Sequence, residues 1–168
     1  MIELQSVIKL PYSANTIRND CLKYFAEAKL IITELLTTAR SNIHLSFDLS
    51  TSPNYKTLLA ITAHWTFSTY KVRVTLLAIR ELDEAHTGEN ISEVVYDVAK
   101  EYGIVDNLGY FMMGNAKNND MSLEELNKRI QEDGGFGFDP LERRLRCFGH
   151  IMNLAVKDLL YGPKKKKK

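Results

Sequence analysis

Asp48 is the acid in this chain whose setting asks for chemistry. It stands inside the apolar alternation Ile43, Leu45, Phe47, Leu49, which predicts a strand with one buried face and gathers His44, Ser46 and Asp48 on the other. A polar turn of Ser52, Pro53 and Asn54 follows, and Leu58 to Trp65 supplies a second strand rich in β-branched and aromatic residues. A carboxylate on the central strand of a sheet is a natural ligand position for a hard divalent cation, which takes oxygen donors. One carboxylate does not make a metal site, so the remaining candidates must be weighed as its partners.

Those candidates are few. Cys147 and His150 form a C-x-x-H pair, but a closed zinc site normally takes four ligands, and His44, His64, His86 and Cys21 fall in other elements. Asp120 is the nearest spare acid beyond the strand Leu108 to Met113 and reads as a helix cap. Asp106 precedes that strand and would sit at its wrong end. The run EDGGFGFDP, Glu132 to Pro140, contains GGFGF, yet no helix opening with Lys-Ser or Lys-Thr follows it, so it reads as a surface loop and not a phosphate cradle. In His86 to Asn90, Thr87 reads as a helix cap and Glu89 suits the positive end of the helix dipole.

The elements that must position these residues follow from periodicity. Ser13 can cap a helix running to about Arg40, with Leu22, Phe25, Ala26, Leu30, Ile32, Leu35 and Leu36 at helical spacing. A third strand, Lys71 to Leu82, follows the first two by a short connection, which predicts an antiparallel meander. A polar loop then leads to a helix over Ile91 to Tyr102, with Gly103 placed to end it. After the strand Leu108 to Met113, Ser122 to Gln131 reads as a helix opened by a Ser122–Glu125 capping box. Leu145 to Phe148 reads as a further strand and Ile151 to Tyr161 as a last helix. The expected fold class is α/β, a mixed sheet in which a three-strand antiparallel meander precedes alternating helices and strands, with helices on the faces. The expected organisation is an N-terminal segment 1–12, a domain 13–162 and a basic tail 163–168.

Bulk properties narrow the function. The 168 residues are 45% hydrophobic, enough for a real core. The formal charge of +1 rests on the five lysines Lys164 to Lys168, so the rest is mildly acidic and offers no global field for nucleic acid. Two cysteines do not make a disulfide framework, which points to a reducing compartment. No transmembrane-length apolar run or signal-peptide pattern is present, so a nuclear or cytoplasmic, non-secreted protein without a membrane partner is expected.

FDLSTSPN (Phe47 to Asn54), ITAHW (Ile61 to Trp65), HTGENI (His86 to Ile91), GYFMMGNAKNND (Gly109 to Asp120) and LRCFGHIMNLAVK (Leu145 to Lys157) occur in that order. Together with the element order, they resemble the ribonuclease H-like catalytic domain of hAT-type cut-and-paste transposases over roughly Ser13 to Gly162. The resemblance implies three acids holding two divalent metals, Mg²⁺ or Mn²⁺ in active relatives, for attack on a phosphodiester. Asp48 matches the first acid, Gly114 stands where the family has the second, and the third belongs to a later helix that this sequence does not reach. Ser50 replaces a tryptophan of the family pattern.

The expectation is therefore a truncated, catalytically inactive domain with at most a remnant metal ligand at Asp48, no cofactor and no small-molecule substrate. DNA is the implied partner, with Arg146, Cys147, His150 and Lys157 as its expected contacts, and the family's oligomerisation region lies outside this sequence. The alternative is a co-opted nucleic-acid- or protein-binding module on the same scaffold. The lysine tail has three readings: a phosphate-binding or import patch, a solvated end, or a truncated transcript read into an adenine-rich stretch, the last being favoured.

Overall fold

The computed structural model describes residues 13–52, 54, 56–67, 70–82, 87–114 and 117–162, with the side chains of Lys117, Asn118, His150 and Leu154 left aside. Segment 1–12, Pro53, His86 and the lysine tail, each part of an expectation above, lie outside the described residues. The chain divides into two compact units, Met1–Leu35 and Leu36–Lys168. The described part of the first is a single helix, α1 (Ala14–Thr37), whose last turn enters the second unit. Ser13 Oγ accepts from the Thr16 amide at 3.1 Å, the cap expected of it.

The second unit is a five-stranded mixed sheet. β1 (Ile43–Thr51), β2 (Thr57–Thr66) and β3 (Val72–Leu82) form the antiparallel meander. Next come α2 (Gly88–Glu101), a 3₁₀ turn at Val105–Asn107, β4 (Leu108–Met113), α3 (Lys117–Glu132), β5 (Arg144–Arg146) and α4 (Phe148–Tyr161). β4 pairs with β1 in parallel and β5 with β4 in parallel, so the spatial order is β3-β2-β1-β4-β5. The expected meander and the alternation after it are both present, consistent with a ribonuclease H-like fold.

Alternation decides which face is buried. Ile43, Leu45 and Phe47 of β1 and Leu59, Ile61, Ala63 and Trp65 of β2 are buried, while the residues between them are half-buried or exposed. Phe111 and Met113 continue that face on β4, and Ile91, Val95 and Val98 of α2 with Leu123, Leu126 and Ile130 of α3 complete the core. The Tyr102 hydroxyl is buried and donates to the Leu77 carbonyl at 2.8 Å, tying the end of α2 to β3. A bulge between Ile61 and Thr62 switches the parity of β3, so Leu77 turns inward and Ile79 outward.

Several boundaries differ from the periodicity reading. α2 starts at Gly88, because the Thr87 hydroxyl accepts from the Asn90 amide at 3.3 Å, the capping role expected of Thr87. α3 starts at Lys117, five residues ahead of Ser122. Ser122 is therefore no cap: it is buried and donates to the Asn119 carbonyl at 2.8 Å. β5 is Arg144–Arg146 and Phe148 already belongs to α4. The glycine-rich run is a loop, but its Phe138 is buried against Phe111, with ring centroids 5.1 Å apart, and the Phe138 amide donates to Asn127 Oδ1 at 2.7 Å. That loop closes one side of the core.

Candidate functional site

Parallel pairing carries the site. Phe47 stands opposite Met113 and Met113 opposite Arg146, so β4 and β5 end together while β1 runs on beyond them to Thr51. Open α/β sheets place ligands beyond the carboxyl ends of their strands, and here that end holds a cleft of about 220 Å³. Ser46, Asp48, Ala60, Thr62, Met112, Gly114 and Cys147 are among the residues that line it.

Asp48 is exposed on the central strand β1, one residue past the last pair with β4, and its Oδ1 accepts from the Leu49 amide at 3.0 Å. A Cβ added at Gly114 would stand 4.0 Å from Asp48 Oδ1 and 3.5 Å from Asn119 Nδ2. The β1–β4 register thus brings position 114 beside Asp48, close enough for two carboxylates to share a cation, and a glycine occupies it. Among the described residues that line the cleft, the side-chain oxygen donors are one carboxylate and the hydroxyls of Ser46 and Thr62, among methionine, alanine and a thiol. Among the described residues no three His, Cys, Asp or Glu side chains converge as a metal-holding group. Each Mg²⁺ needs near-octahedral oxygen coordination, and a pair of such ions does not fit this donor set.

Asp120 is engaged elsewhere. It lies in the first turn of α3, inside the helix and not at its cap, and pairs with the Arg144 guanidinium. Arg144 also donates to the Gly114 carbonyl at 3.3 Å, which Asn119 Nδ2 holds as well, at 2.9 Å. The Arg144 side chain is 8% exposed, and burial, with Arg146 nearby, pushes its basicity down. Nothing in the periodicity marks this arginine: its partner is distant in sequence, and only the fold brings the first turn of α3 to β5. Asp106 lies in the 3₁₀ turn at the opposite end of β4, as expected.

Among the described residues, the expected nucleic-acid contacts fall on β5, beside the cleft and on α4. Arg146 is exposed on β5 and Cys147 half-buried in the cleft, its amide donating to the Met113 carbonyl at 3.0 Å. Lys157 is exposed on α4, about 13 Å along the axis from the helix start at 1.5 Å per residue. The His150 side chain lies outside the described residues, which leaves the C-x-x-H pair half defined.

On the same sheet face, toward the amino end of β1, His44 stands opposite His64. His64 Nε2 lies 2.9 Å from Ser46 Oγ. The Tyr110 amide donates to His44 Nδ1 at 2.9 Å, and the two rings stack with centroids 5.6 Å apart. Periodicity places His44 on this face but gives no sign of its bond to β4.

Comparison with known proteins agrees with this geometry. The ZBED1 RNase-like domain model matches residues 46–136, more than half of the chain. A Zea mays protein named as an AC transposase is 23% identical over 144 residues, 85% of this chain. A second Zea mays protein, named as an AC9 transposase, matches to the same degree. A Talaromyces stipitatus protein named as the transcriptional regulator tpeD is 26% identical over 147 residues, 88% of this chain. The chain spans only 17–18% of the length of these relatives. With its sheet order, its acid on the central strand and a matched region that runs from Ser46 of β1 through β2, β3 and β4, the chain belongs to the ZBED1 RNase-like domain family, a transposase-like, ribonuclease H-like domain.

Proposed function

We propose that this domain is a transposase-derived module that binds nucleic acid and performs no strand transfer. One observation carries the reading: Gly114 stands beside Asp48 where a second carboxylate would complete a cation site. Without it, the cleft has too little negative charge to recruit and orient two divalent metals, and water or a 3′-hydroxyl is not activated there. The engagement of Asp120 by Arg144 removes the nearest substitute. What remains is a rigid sheet end with an exposed arginine, Arg146, next to a cleft bearing hydrogen-bonding hydroxyls.

A second reading, a module recruited to regulation, is favoured by the likeness to a protein whose printed name is a transcriptional regulator. Both readings are tested by fluorescence anisotropy on duplex DNA across a salt series, with the whole chain, with Arg146→Ala and with Lys164 to Lys168 removed. Binding that survives tail removal, weakens in Arg146→Ala and prefers one sequence supports a recruited module. Binding that disappears with the tail is phosphate attraction by the lysines alone and overturns a role for the folded domain.

A further inference from the structure

The β1–β4 pairing has a register shift: Ile43 stands opposite Leu108 and Leu45 opposite Phe111, so Gly109 and Tyr110 together face the single residue His44. A bulge of this kind leaves an amide outside the ladder. Here the Tyr110 amide is taken by a side chain, donating to His44 Nδ1 at 2.9 Å. The imidazole reaches it only because residue 109 is glycine; a Cβ there would stand 2.5 Å from His44 Nδ1 and 2.7 Å from Cε1. Tyr110 stacks on the ring from β4, and His64 faces it from β2. A bulge, a glycine gap, a stacked aromatic and a paired amide converge on one nitrogen.

We propose that His44 is an acid-sensitive latch on the parallel seam between β1 and β4: in its neutral form it holds the Tyr110 amide, and protonation releases it. A backbone amide is a donor only, so Nδ1 must present its lone pair and the ring proton sits on Nε2. A proton on Nδ1 turns the acceptor into a second donor facing the first, and the amide loses its partner. Burial, and secondarily the neighbouring His64, hold His44 below the ordinary imidazole value of 6.5. The folded state therefore favours the neutral ring. Its contribution to stability is complete above that value and is lost as pH falls from it through the lower folded value, because the unfolded chain takes up the proton first. Among the described residues, the titratable groups facing His44 are His64 from β2 and Tyr110 from β4. The pairing on this seam ends at Phe47 and Met113, next to Asp48 and Gly114.

Nitrogen-15 NMR of the whole chain tests this. At neutral pH, His44 Nδ1 is expected to show the shift of an unprotonated, hydrogen-bonded nitrogen. On acidification, the Tyr110 amide is expected to lose exchange protection, corrected for intrinsic rate, in step with His44 titration. His44→Asn, which places a non-titrating acceptor near the Nδ1 position, should keep that protection in acid. His64→Gln should move the loss to higher pH by removing a like charge. A proton on Nδ1 at neutral pH, or Tyr110 protection unchanged while His44 titrates, would overturn the proposal in the wild-type chain alone; equal acid loss in His44→Asn would do the same.

Discussion

At the scale of single residues, the proposed loss of chemistry turns on position 114. Asp48 was readable as a candidate ligand because an acid inside an alternating apolar strand is costly unless it faces outward, and it does face outward into the cleft. That Gly114 is its neighbour could be expected only through the resemblance, since no local pattern links positions 66 residues apart; the β1–β4 pairing supplies the reason. If a missing carboxylate is what limits the cleft, restoring it should show in metal binding. Gly114→Asp is expected to raise Mn²⁺ affinity by about tenfold or more, since affinity at carboxylate sites follows the number of charged ligands. Asp48→Ala in that background should return it to the starting value. Calorimetric titration with Mn²⁺ reads both. Asp120 would need to leave Arg144 to serve as a third ligand, and the fold gives it no reason to do so.

At the scale of elements, strands were easier to read than helix starts. One buried face forces strict alternation, so the meander and β4 stood out, while helix starts depend on single polar side chains that also suit loops. Lys117 to Asp120 carries no apolar residue, and the first turn of α3 was therefore invisible to periodicity. Ser122, which looks like a capping residue, is instead buried inside the helix. Gly88 shows how closely α2 and α3 approach: a Cβ there would lie 2.6 Å from Met121 Cβ and 2.8 Å from the Ser122 amide nitrogen. Gly88→Ala has no flexible side-chain end to push aside and is expected to cost about 1–3 kcal/mol. Urea unfolding would register this as a lower midpoint with an unchanged slope. A midpoint equal to wild type would mean that the two helices do not meet as described.

At the scale of the whole molecule, the charge balance and the family point in different directions. The proposed nucleic-acid partner would meet a chain that is mildly acidic apart from its lysine tail, and the arginines in and beside β5 are partly committed. Arg144 is paired with Asp120, and Arg143 Nη1 donates to the Leu108 carbonyl at 2.8 Å, leaving Arg146 as the exposed arginine of β5. The proposed binding without chemistry would reconcile these facts. Among the described residues no helix is long and apolar enough to cross a membrane. The fold class was thus accessible from patterning, while the state of the cleft depended on pairings across the sheet. The most direct test is a Mn²⁺-dependent nicking assay on supercoiled duplex DNA, comparing the wild-type chain with Asp48→Ala. The expected result is no nicking above background in either protein; nicking by the wild type that Asp48→Ala abolishes would contradict the reading of this cleft as catalytically incomplete.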